Sequence, residues 1–236
     1  MGTTAERLPD IAGQHANVGT LAACGPQGQA VAAKAQAVDG MDGDHARLPL
    51  DFDSLAATRK YSQPRLLGRS AELIEVLRSK TPDEVASLMH LSDELAALNA
   101  QRYRDFETPF TPRNARAAVL AFAGDVYRGL AASTRFGERD FTEAQKTIRI
   151  LSGLYGVLRP LDLIQPYRLE MGTRLATDRG KDLYAFWGDQ VTEMLADDLA
   201  ASPQPKVVLN LASQEYAGVV NPDLLDADII SPRFEE

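Results

Sequence analysis

Residues 151–172 (LSGLYGVLRPLDLIQPYRLEMG) constrain the fold of this chain more than any other stretch. Two glycines, Gly153 and Gly156, stand between an amphipathic pattern that precedes them and the Arg159-Pro160 step that follows. Glycines at this spacing predict a tight turn. Such a turn can present successive backbone amides to an anion, or it can be a structural corner without a ligand. The spacing alone favours the corner and leaves anion binding open.

The same region is basic within an acidic chain. The 236 residues carry a formal charge of −8, from 25 Lys and Arg and 33 Asp and Glu. Residues 145–174 contain five basic and two acidic residues, which gives +3. Because an acidic surface repels nucleic acid and anionic membranes, any polyanion site here must be a local basic patch. The five basic residues are Lys146, Arg149, Arg159, Arg168 and Arg174.

Several classes of protein are disfavoured by composition. Cys24 is the single cysteine, so the chain has no disulfide framework and no cysteine metal cluster. His15, His45 and His90 are scattered without ligand spacing. We find no apolar run of membrane-spanning length and no signal-peptide pattern. We therefore expect a cytoplasmic protein without a metal site, a cofactor or a membrane partner.

Composition divides the chain near residue 47. The first 46 residues contain eleven Ala and seven Gly, and no Phe, Tyr or Trp precedes Phe52. Such a segment has little large apolar surface to bury, and therefore cannot offset the entropy of ordering itself. We predict a disordered, unrelated tail over residues 1–47, with at most a weak helix at 29–38. Residues 48–236 are predicted to form the globular domain.

Within that domain, hydrophobic periodicity and capping signals predict the main elements. Helices are expected at 66–77, after Thr81 and Ser92, from Thr142 into the glycine turn, and at 182–200. Short apolar runs predict strands at 119–122, 206–211 and 228–231. A helix that enters a glycine turn and leaves into a second helix is similar to the helix-hairpin-helix elements that grip phosphate without reading bases.

Polar residues after the strand at 206–211 suggest a different kind of site. Asn210, Ser213 and Glu215 follow that strand, where α/β proteins commonly place ligand groups. Together with Arg159, Tyr167 and Lys181, Asn210 and Ser213 could hold a small phosphorylated or nucleotide-like ligand, as in an enzyme. Ser213 lacks the Gly-x-Ser-x-Gly context of a hydrolase nucleophile, so we assign no catalytic residue.

Four segments together are specific enough to indicate a family. Residues 122–130 (FAGDVYRGL), 151–172, 180–189 (GKDLYAFWGD) and 210–216 (NLASQEY) closely resemble the YaaA family of bacterial peroxide-stress proteins. The resemblance implies a cytoplasmic protein that limits peroxide damage by keeping unincorporated iron low. It also implies binding of double-stranded DNA in a basic cleft, on an α+β (mixed α/β) fold with a central mixed sheet surrounded by helices.

On this resemblance, the helix-hairpin-helix element is expected at residues 151–161. No protein partner is implied. The residues expected in the DNA cleft, from that element and from the basic residues around it, are Arg149, Ser152, Gly153, Tyr155, Gly156, Arg159, Arg168 and Lys181.

The chain departs from the family pattern at two places. The family begins with a hydrophobic strand that leads into Ser-Pro-Ala-Lys, whereas residues 44–49 read DHARLP. The family also continues with a further strand region and a basic segment beyond the position of Phe234. We therefore expect a truncated domain at 48–236 that lacks the first strand and the C-terminal strands.

Overall fold

A computed structural model describes residues 20–23, 52, 57–203 and 205–232 of the chain. Helices and strands are interspersed along it, and the α+β class is confirmed. The helices are α1 (Leu67–Arg78), α2 (Pro82–Met89), α3 (Asp93–Asp105), α4 (Ala118–Ala121), α5 (Asp125–Leu130), α6 (Ala132–Arg135), α7 (Glu138–Thr147), α8 (Leu183–Trp187), α9 (Gln190–Ala201) and α10 (Gln214–Ala217). The strands are β1 (Thr20–Ala23), β2 (Arg116–Ala117), β3 (Ile148–Ser152), β4 (Gly156–Leu158), β5 (Leu163–Ile164), β6 (Val207–Asn210) and β7 (Asp228–Ile230).

A five-stranded mixed sheet organises the fold. Its strand order is β4-β3-β1-β6-β7, and a separate antiparallel pair joins β2 to β5. β1 is antiparallel to both of its neighbours, while β6 and β7 are parallel. The predicted strands at 206–211 and 228–231 correspond to β6 and β7. None of the helices in the described ranges is long and apolar enough to span a bilayer.

The central strand of this sheet comes from the segment predicted to be a disordered tail. In β1, Thr20 is opposite Ile150 of β3, and Leu21 is opposite Asn210 of β6. The predicted tail therefore contributes a strand to the sheet, whereas residues 44–49, where the family's first strand was predicted to be missing, lie outside the described residues. Composition could not identify β1, because four small or apolar residues become a strand only when two partner strands supply their hydrogen bonds. The predicted helix at 29–38 lies outside the described residues, as do Cys24, His15 and His45.

The helix-hairpin-helix placement at 151–161 is also wrong. The segment begins with a β-hairpin, in which Ile150 is opposite Leu158 and Ser152 is opposite Gly156. α7 ends at Thr147, so a strand rather than a helix enters the glycine turn. β-Branched residues at 148 and 150 fit a pleated surface, and β1 completes the hydrogen bonding on the other side. Tertiary pairing overrides the helical periodicity here.

Local capping chemistry was predicted more successfully. Thr81 accepts a hydrogen bond from the Glu84 amide at 3.3 Å, and its own amide donates to Glu84 Oε2 at 2.7 Å. This capping box begins α2 as expected. α7 instead begins after Gly137, whose amide donates to Asp140 Oδ2 at 2.9 Å. The predicted start at Thr142 is therefore about one turn too late.

Two further elements differ from prediction for non-local reasons. The expected strand at 119–122 is the short helix α4, whose first amide donates to the carbonyl of Asp162 at 2.9 Å. A short apolar run fits a buried strand or a buried helix equally well, and this contact decides between them. The expected helix at 182–200 is divided into α8 and α9 at Gly188, which has a φ of +49°.

The fold makes a direct prediction about Gly153. A Cβ at this position would lie 2.3 Å from the carbonyl oxygen of Leu169, which is backbone and cannot move aside cheaply. We expect Gly153→Ala to lower the free energy of unfolding by about 3 kcal/mol, measured by denaturant titration. Gly68→Ala is the matched control, because no atom lies within 4 Å of its Cβ position in α1. The control should be neutral or stabilising by up to ~1 kcal/mol; equal stabilities for the two variants would contradict the prediction.

Candidate ligand site at the C-terminal edge of the sheet

Strand directions bring several polar residues to one edge of the sheet. Because β1 is antiparallel to both β3 and β6, those two strands run in the same direction, and β7 runs with them. Their C-terminal ends, at Ser152, Asn210 and Ile230, therefore lie at one edge, called here the C-terminal edge. Asn210 Nδ2 donates to Ser231 Oγ across this edge at 3.3 Å. In open sheets with parallel strands, ligands commonly bind at such an edge.

The glycine turn between β3 and β4 is a packed corner at this edge. Gly153 leaves room for the backbone of Leu169, and its carbonyl accepts from Trp187 Nε1 at 3.0 Å. Gly156 has a φ of +68°, and a Cβ there would lie 2.9 Å from the Trp187 ring. All residues from 151 to 158 are buried. Both glycines are therefore explained by internal contacts, and their amides do not lie at the surface where a DNA phosphate could reach them.

Buried hydroxyl groups lie directly behind the turn. The hydroxyls of Ser152 and Tyr167 are 2.6 Å apart, and Ser152 Oγ also accepts from the Tyr155 amide at 2.9 Å. The Tyr155 and Tyr167 rings meet edge to face, with centroids 5.2 Å apart. Burial raises the pKa of both tyrosines, so each is a neutral phenol at physiological pH. These tyrosines can therefore donate hydrogen bonds but are not poised to act as bases.

The segment that follows Tyr167 is fixed by α10. Glu215 Oε1 accepts from the Gly172 amide at 2.7 Å, and the Glu215 carbonyl accepts from the Tyr184 hydroxyl at 2.8 Å. Burial raises the pKa of Glu215, and the hydrogen bond from Gly172 opposes that rise in part. Tyr216, which follows, is fully buried beside Tyr167, Glu170 and Glu215. The sequence had singled out Tyr167, Asn210, Ser213 and Glu215 at this edge but missed Glu170 and Tyr216.

Ser213 and Tyr216 have an unusual environment. The hydroxyl oxygens of both are buried, and neither has a hydrogen-bond partner within the described part of the chain. Ser213 immediately precedes α10, yet its side chain does not cap the helix. A buried polar group without a partner is rare in native proteins. The motif at 210–216 was the one sequence signal that could have drawn attention to these hydroxyls.

The arginines predicted to line a DNA cleft are engaged in ion pairs. Arg149 Nε lies 2.5 Å from Asp198 Oδ2, and Arg65 donates two hydrogen bonds of 2.7 Å to the same carboxylate. Arg159 Nη2 lies 2.9 Å from Oδ1 of the fully buried Asp162. Arg149 thus connects β3 to α9, whereas Arg159 pairs with a residue three positions along and also donates to the Gln63 carbonyl at 3.2 Å. Both guanidinium groups face a carboxylate.

The remaining cations divide into two groups. Arg168 pairs with Glu170 at 3.2 Å, and Lys146 pairs with Glu143 at 2.9 Å. Four of the five basic residues in 145–174 thus face carboxylates. Arg174 and Lys181 are exposed, and neither pairs with a carboxylate in the described ranges. Among the residues that the structure describes, Lys181 is accordingly the one member of the predicted DNA-contact set whose charge is exposed and faces no carboxylate.

A metal centre finds no support in the part of the chain that the structure covers. No group of three or more His, Cys, Asp or Glu side chains converges there in a way that could hold a metal ion. His90 ends α2 with a left-handed backbone, at a φ of +53°. The left-handed backbone of His90 ends the helix and starts the turn that follows, which accounts for its position.

Comparison with known proteins agrees with the motif segments. The model of the family described as peroxide stress protein YaaA matches residues 33–236. The chain belongs to the YaaA family. A UPF0246 protein of Cellvibrio japonicus (strain Ueda107) is 53% identical over 187 residues, which cover 79% of this chain and 72% of that relative. The family match begins within the segment predicted to be unrelated, and the domain boundary near residue 47 stays a prediction.

Glu215 and Asp198 should affect stability with opposite pH dependence. Because its pKa is raised above the ordinary 4.5, the folded protein favours the protonated form of Glu215. Ionisation of Glu215 therefore lowers the free energy of unfolding as pH rises through that raised pKa. We expect Glu215→Gln to raise the melting temperature at neutral pH, with the difference vanishing below pH 4.5.

Asp198 serves as a control, because its effect on the melting temperature should have the opposite sign to that of Glu215. Burial alone would raise its pKa, but hydrogen bonds from Arg65 and Arg149 lower it below the ordinary 3.8. Its stabilising contribution is therefore present at neutral pH and is lost as pH falls through the lowered pKa. Asp198→Asn should lower the melting temperature at neutral pH, and the deficit should shrink in acid. Differences of the same sign for both variants would refute this account.

Proposed function

We propose that this protein acts in the bacterial response to hydrogen peroxide by keeping unincorporated iron low in the cytoplasm, and that it binds double-stranded DNA. Membership of the peroxide stress protein YaaA family, with a match over residues 33–236, carries the proposal. The chain has a single cysteine, and so cannot form an intramolecular disulfide during peroxide exposure. The expected route is control of iron rather than dithiol removal of peroxide.

The role in iron control is tested in cells. A strain lacking the gene should contain more electron-paramagnetic free iron after peroxide exposure, and the present chain should restore the lower level. Complementation by Gly153→Ala provides a matched comparison, since its Cβ would overlap the Leu169 carbonyl and weaken the fold. Unchanged free iron in the deleted strain would refute this role.

DNA contact is supported by a small set of charges. Because the chain carries −8 overall, binding must come from a local group of cations facing phosphates. Arg174 and Lys181 are exposed without ion pairs in the described ranges, and lie on the loop between Gly172 and α8. Arg179, on the same loop, lies 5.8 Å from the Phe186 ring centroid and pairs with Glu72. This loop, rather than the buried glycine turn, is the better candidate for phosphate contact.

The charge argument predicts a salt-dependent interaction. Binding of a duplex, followed by fluorescence anisotropy, should weaken steeply as salt rises, and the Arg174→Ala/Lys181→Ala double variant should lower the log–log salt slope by about 2. The loss should be uniform across DNA sequences. Arg113→Ala removes one exposed charge elsewhere and should change the slope by less than 1. No binding at low salt, or the same slope for the double variant and the wild type, would count against DNA contact through this loop.

Arg159→Ala is a poor probe of DNA binding despite its place in the predicted set. Its partner Asp162 is fully buried, and removing one member of such a pair costs roughly 3 kcal/mol of folding stability. Any loss of DNA affinity in that variant would therefore reflect misfolding as much as charge. Lys181 has no such partner among the described residues, and is the better choice.

A second function is favoured by the buried hydroxyls at the C-terminal edge. Ser213 Oγ is buried without a protein partner in the described ranges. Binding of a small phosphorylated or nucleotide-like ligand at this edge, as in an enzyme, would give that hydroxyl a partner. A thermal-shift panel of nucleotides and sugar phosphates is the test. A shift with one of them, lost in Ser213→Ala, would support it; no shift with any of them would refute it.

A further inference from the structure

Glu72 on α1 holds two arginines at one point. Its Oε1 atom lies 2.6 Å from Arg69 Nη1, and its Oε2 atom lies 3.0 Å from Arg179 Nε. Arg69 is on the same helix, whereas Arg179 lies 107 residues after Glu72, on the loop that also carries Arg174 and Lys181. Two guanidinium groups that meet the two oxygens of one carboxylate present the same donors that bind a phosphate.

Both guanidinium groups are positioned by contacts that do not involve Glu72. Arg69 Nε donates to Gln190 Oε1 at 3.0 Å, and the Arg179 guanidinium lies 5.8 Å from the centroid of the Phe186 ring. A guanidinium held by a side-chain amide or by an aromatic ring keeps its place when its carboxylate moves away. Arg69 and Arg179 are therefore already arranged for an anion, and are called here the arginine clamp.

The turn that carries Arg179 is itself fixed. The Thr177 amide donates to the Gly180 carbonyl at 2.8 Å, and the Gly180 amide donates to the Thr177 carbonyl at 3.1 Å. A Cβ at Gly180 would lie 2.3 Å from Ala185 Cβ, so the base of the turn packs closely against α8. Arg179 is exposed on this turn. A phosphate can therefore reach it from solvent without a rearrangement of the backbone.

Glu72 can leave the arginine clamp easily. The side chains of Arg69, Glu72 and Arg179 are 33%, 46% and 36% exposed. Ion pairs exposed to this degree contribute little to stability and are screened by salt. The Arg149–Asp198 pair differs, because its side chains are only 12% and 20% exposed. A phosphate that replaces Glu72 keeps both arginines of the clamp paired.

Local charge favours a polymer of phosphates over a single one. The loop at 172–182 carries three cations against two acids, Asp178 and Asp182, which gives a formal charge of +1. Asp182 is directed to α8, where it accepts from the Ala185 amide at 2.8 Å. Glu72 beside the loop offsets this positive excess, and its displacement restores it. Neighbouring phosphates of one duplex can then meet the other cations of the loop.

We propose that the arginine clamp binds one backbone phosphate of double-stranded DNA, and that Glu72 fills the clamp in the free protein and is displaced when DNA binds. The inference rests on the DNA binding proposed above. It adds to the exposed cations Arg174 and Lys181 a further contact that is masked until DNA arrives. Because Glu72 competes with every backbone phosphate alike, it lowers the affinity without altering sequence preference.

Fluorescence anisotropy of a labelled duplex gives the first test. Glu72→Gln keeps the shape of the side chain but removes the charge that fills the clamp, so binding at low salt should tighten by about five-fold, as for one unit charge beside a phosphate in water. Glu75→Gln is the matched control, because it removes the same charge from α1 where Glu75 pairs with Arg78 at 2.6 Å. The control should change the affinity by less than about two-fold. Equal gains for the two variants would reflect net charge alone and would overturn the proposal.

The arginines of the clamp give the second test. The Arg69→Ala/Arg179→Ala double variant should bind the duplex more weakly and lower the log–log salt slope by about 1, as for the loss of one phosphate contact. In that background Glu72→Gln should no longer tighten binding. Because these side chains are partly exposed, all of the variants should melt close to the wild type. A gain from Glu72→Gln that persists without the two arginines would show that Glu72 does not act through the clamp.

Inorganic phosphate and a mononucleotide, titrated at constant ionic strength, distinguish DNA from a small ligand. If Glu72→Gln tightens binding of either one but not of the duplex, the assignment of the clamp to DNA is wrong. If the wild type binds the duplex through Arg174 and Lys181 while Glu72→Gln and Glu75→Gln bind alike, DNA contact stands and the masked clamp is wrong. If neither the wild type nor any variant binds the duplex at low salt, both proposals are wrong.

Discussion

The close approach of the Gly153 turn to the chain at 169–170 is the contact on which the rest of the structure depends. No side chain fits between Gly153 and the Leu169 carbonyl, and Trp187 donates to the Gly153 carbonyl from the other side. This packing fixes the end of β3 against the segment that carries Tyr167 and Gly172. Because Gly172 is in turn held by Glu215, the same contact positions α10 relative to the sheet. The geometry of the candidate site at the C-terminal edge therefore depends on Gly153, although Gly153 is not one of the residues of that site.

Charge has a mainly structural role in this protein. Asp198 on α9 is held by Arg149 of β3 and by Arg65, which precedes α1, so one carboxylate connects three parts of the fold. Asp162 similarly accepts from Arg159 and from the Ser62 hydroxyl, the latter at 2.6 Å. A cluster of arginines in an acidic chain indicates a polyanion site only if the arginines lack carboxylate partners that lie within the fold. Here the sequence showed the cations. The carboxylate partner of Arg149 lies 49 residues away along the chain, whereas those of Arg159 and Arg168 lie three and two residues away.

Prediction from the sequence succeeded where the deciding interactions are local. The capping box at Thr81 needs only Thr81 and Glu84, and the strand β6 follows from its own apolar run. It failed where a distant partner decides the outcome. The helical periodicity before the glycine turn gave way to β3 because β1, more than a hundred residues earlier, completes the sheet. The candidate site was found in part: polar residues after a strand pointed to Asn210 and Ser213, but nothing local could show that Tyr216 would be buried without a partner.

By itself, the sequence determined the family, the α+β class, several helix starts and the location of polar residues after β6. These follow from motifs and from hydrogen bonds between near neighbours. Tertiary structure alone decided that the glycine turn is a buried corner, that the predicted arginines are paired, and that the C-terminal ends of β3, β6 and β7 share one edge. The physical reason is that burial, strand order and the Arg149–Asp198 pair depend on groups brought together from distant parts of the chain, which residue spacing does not reveal.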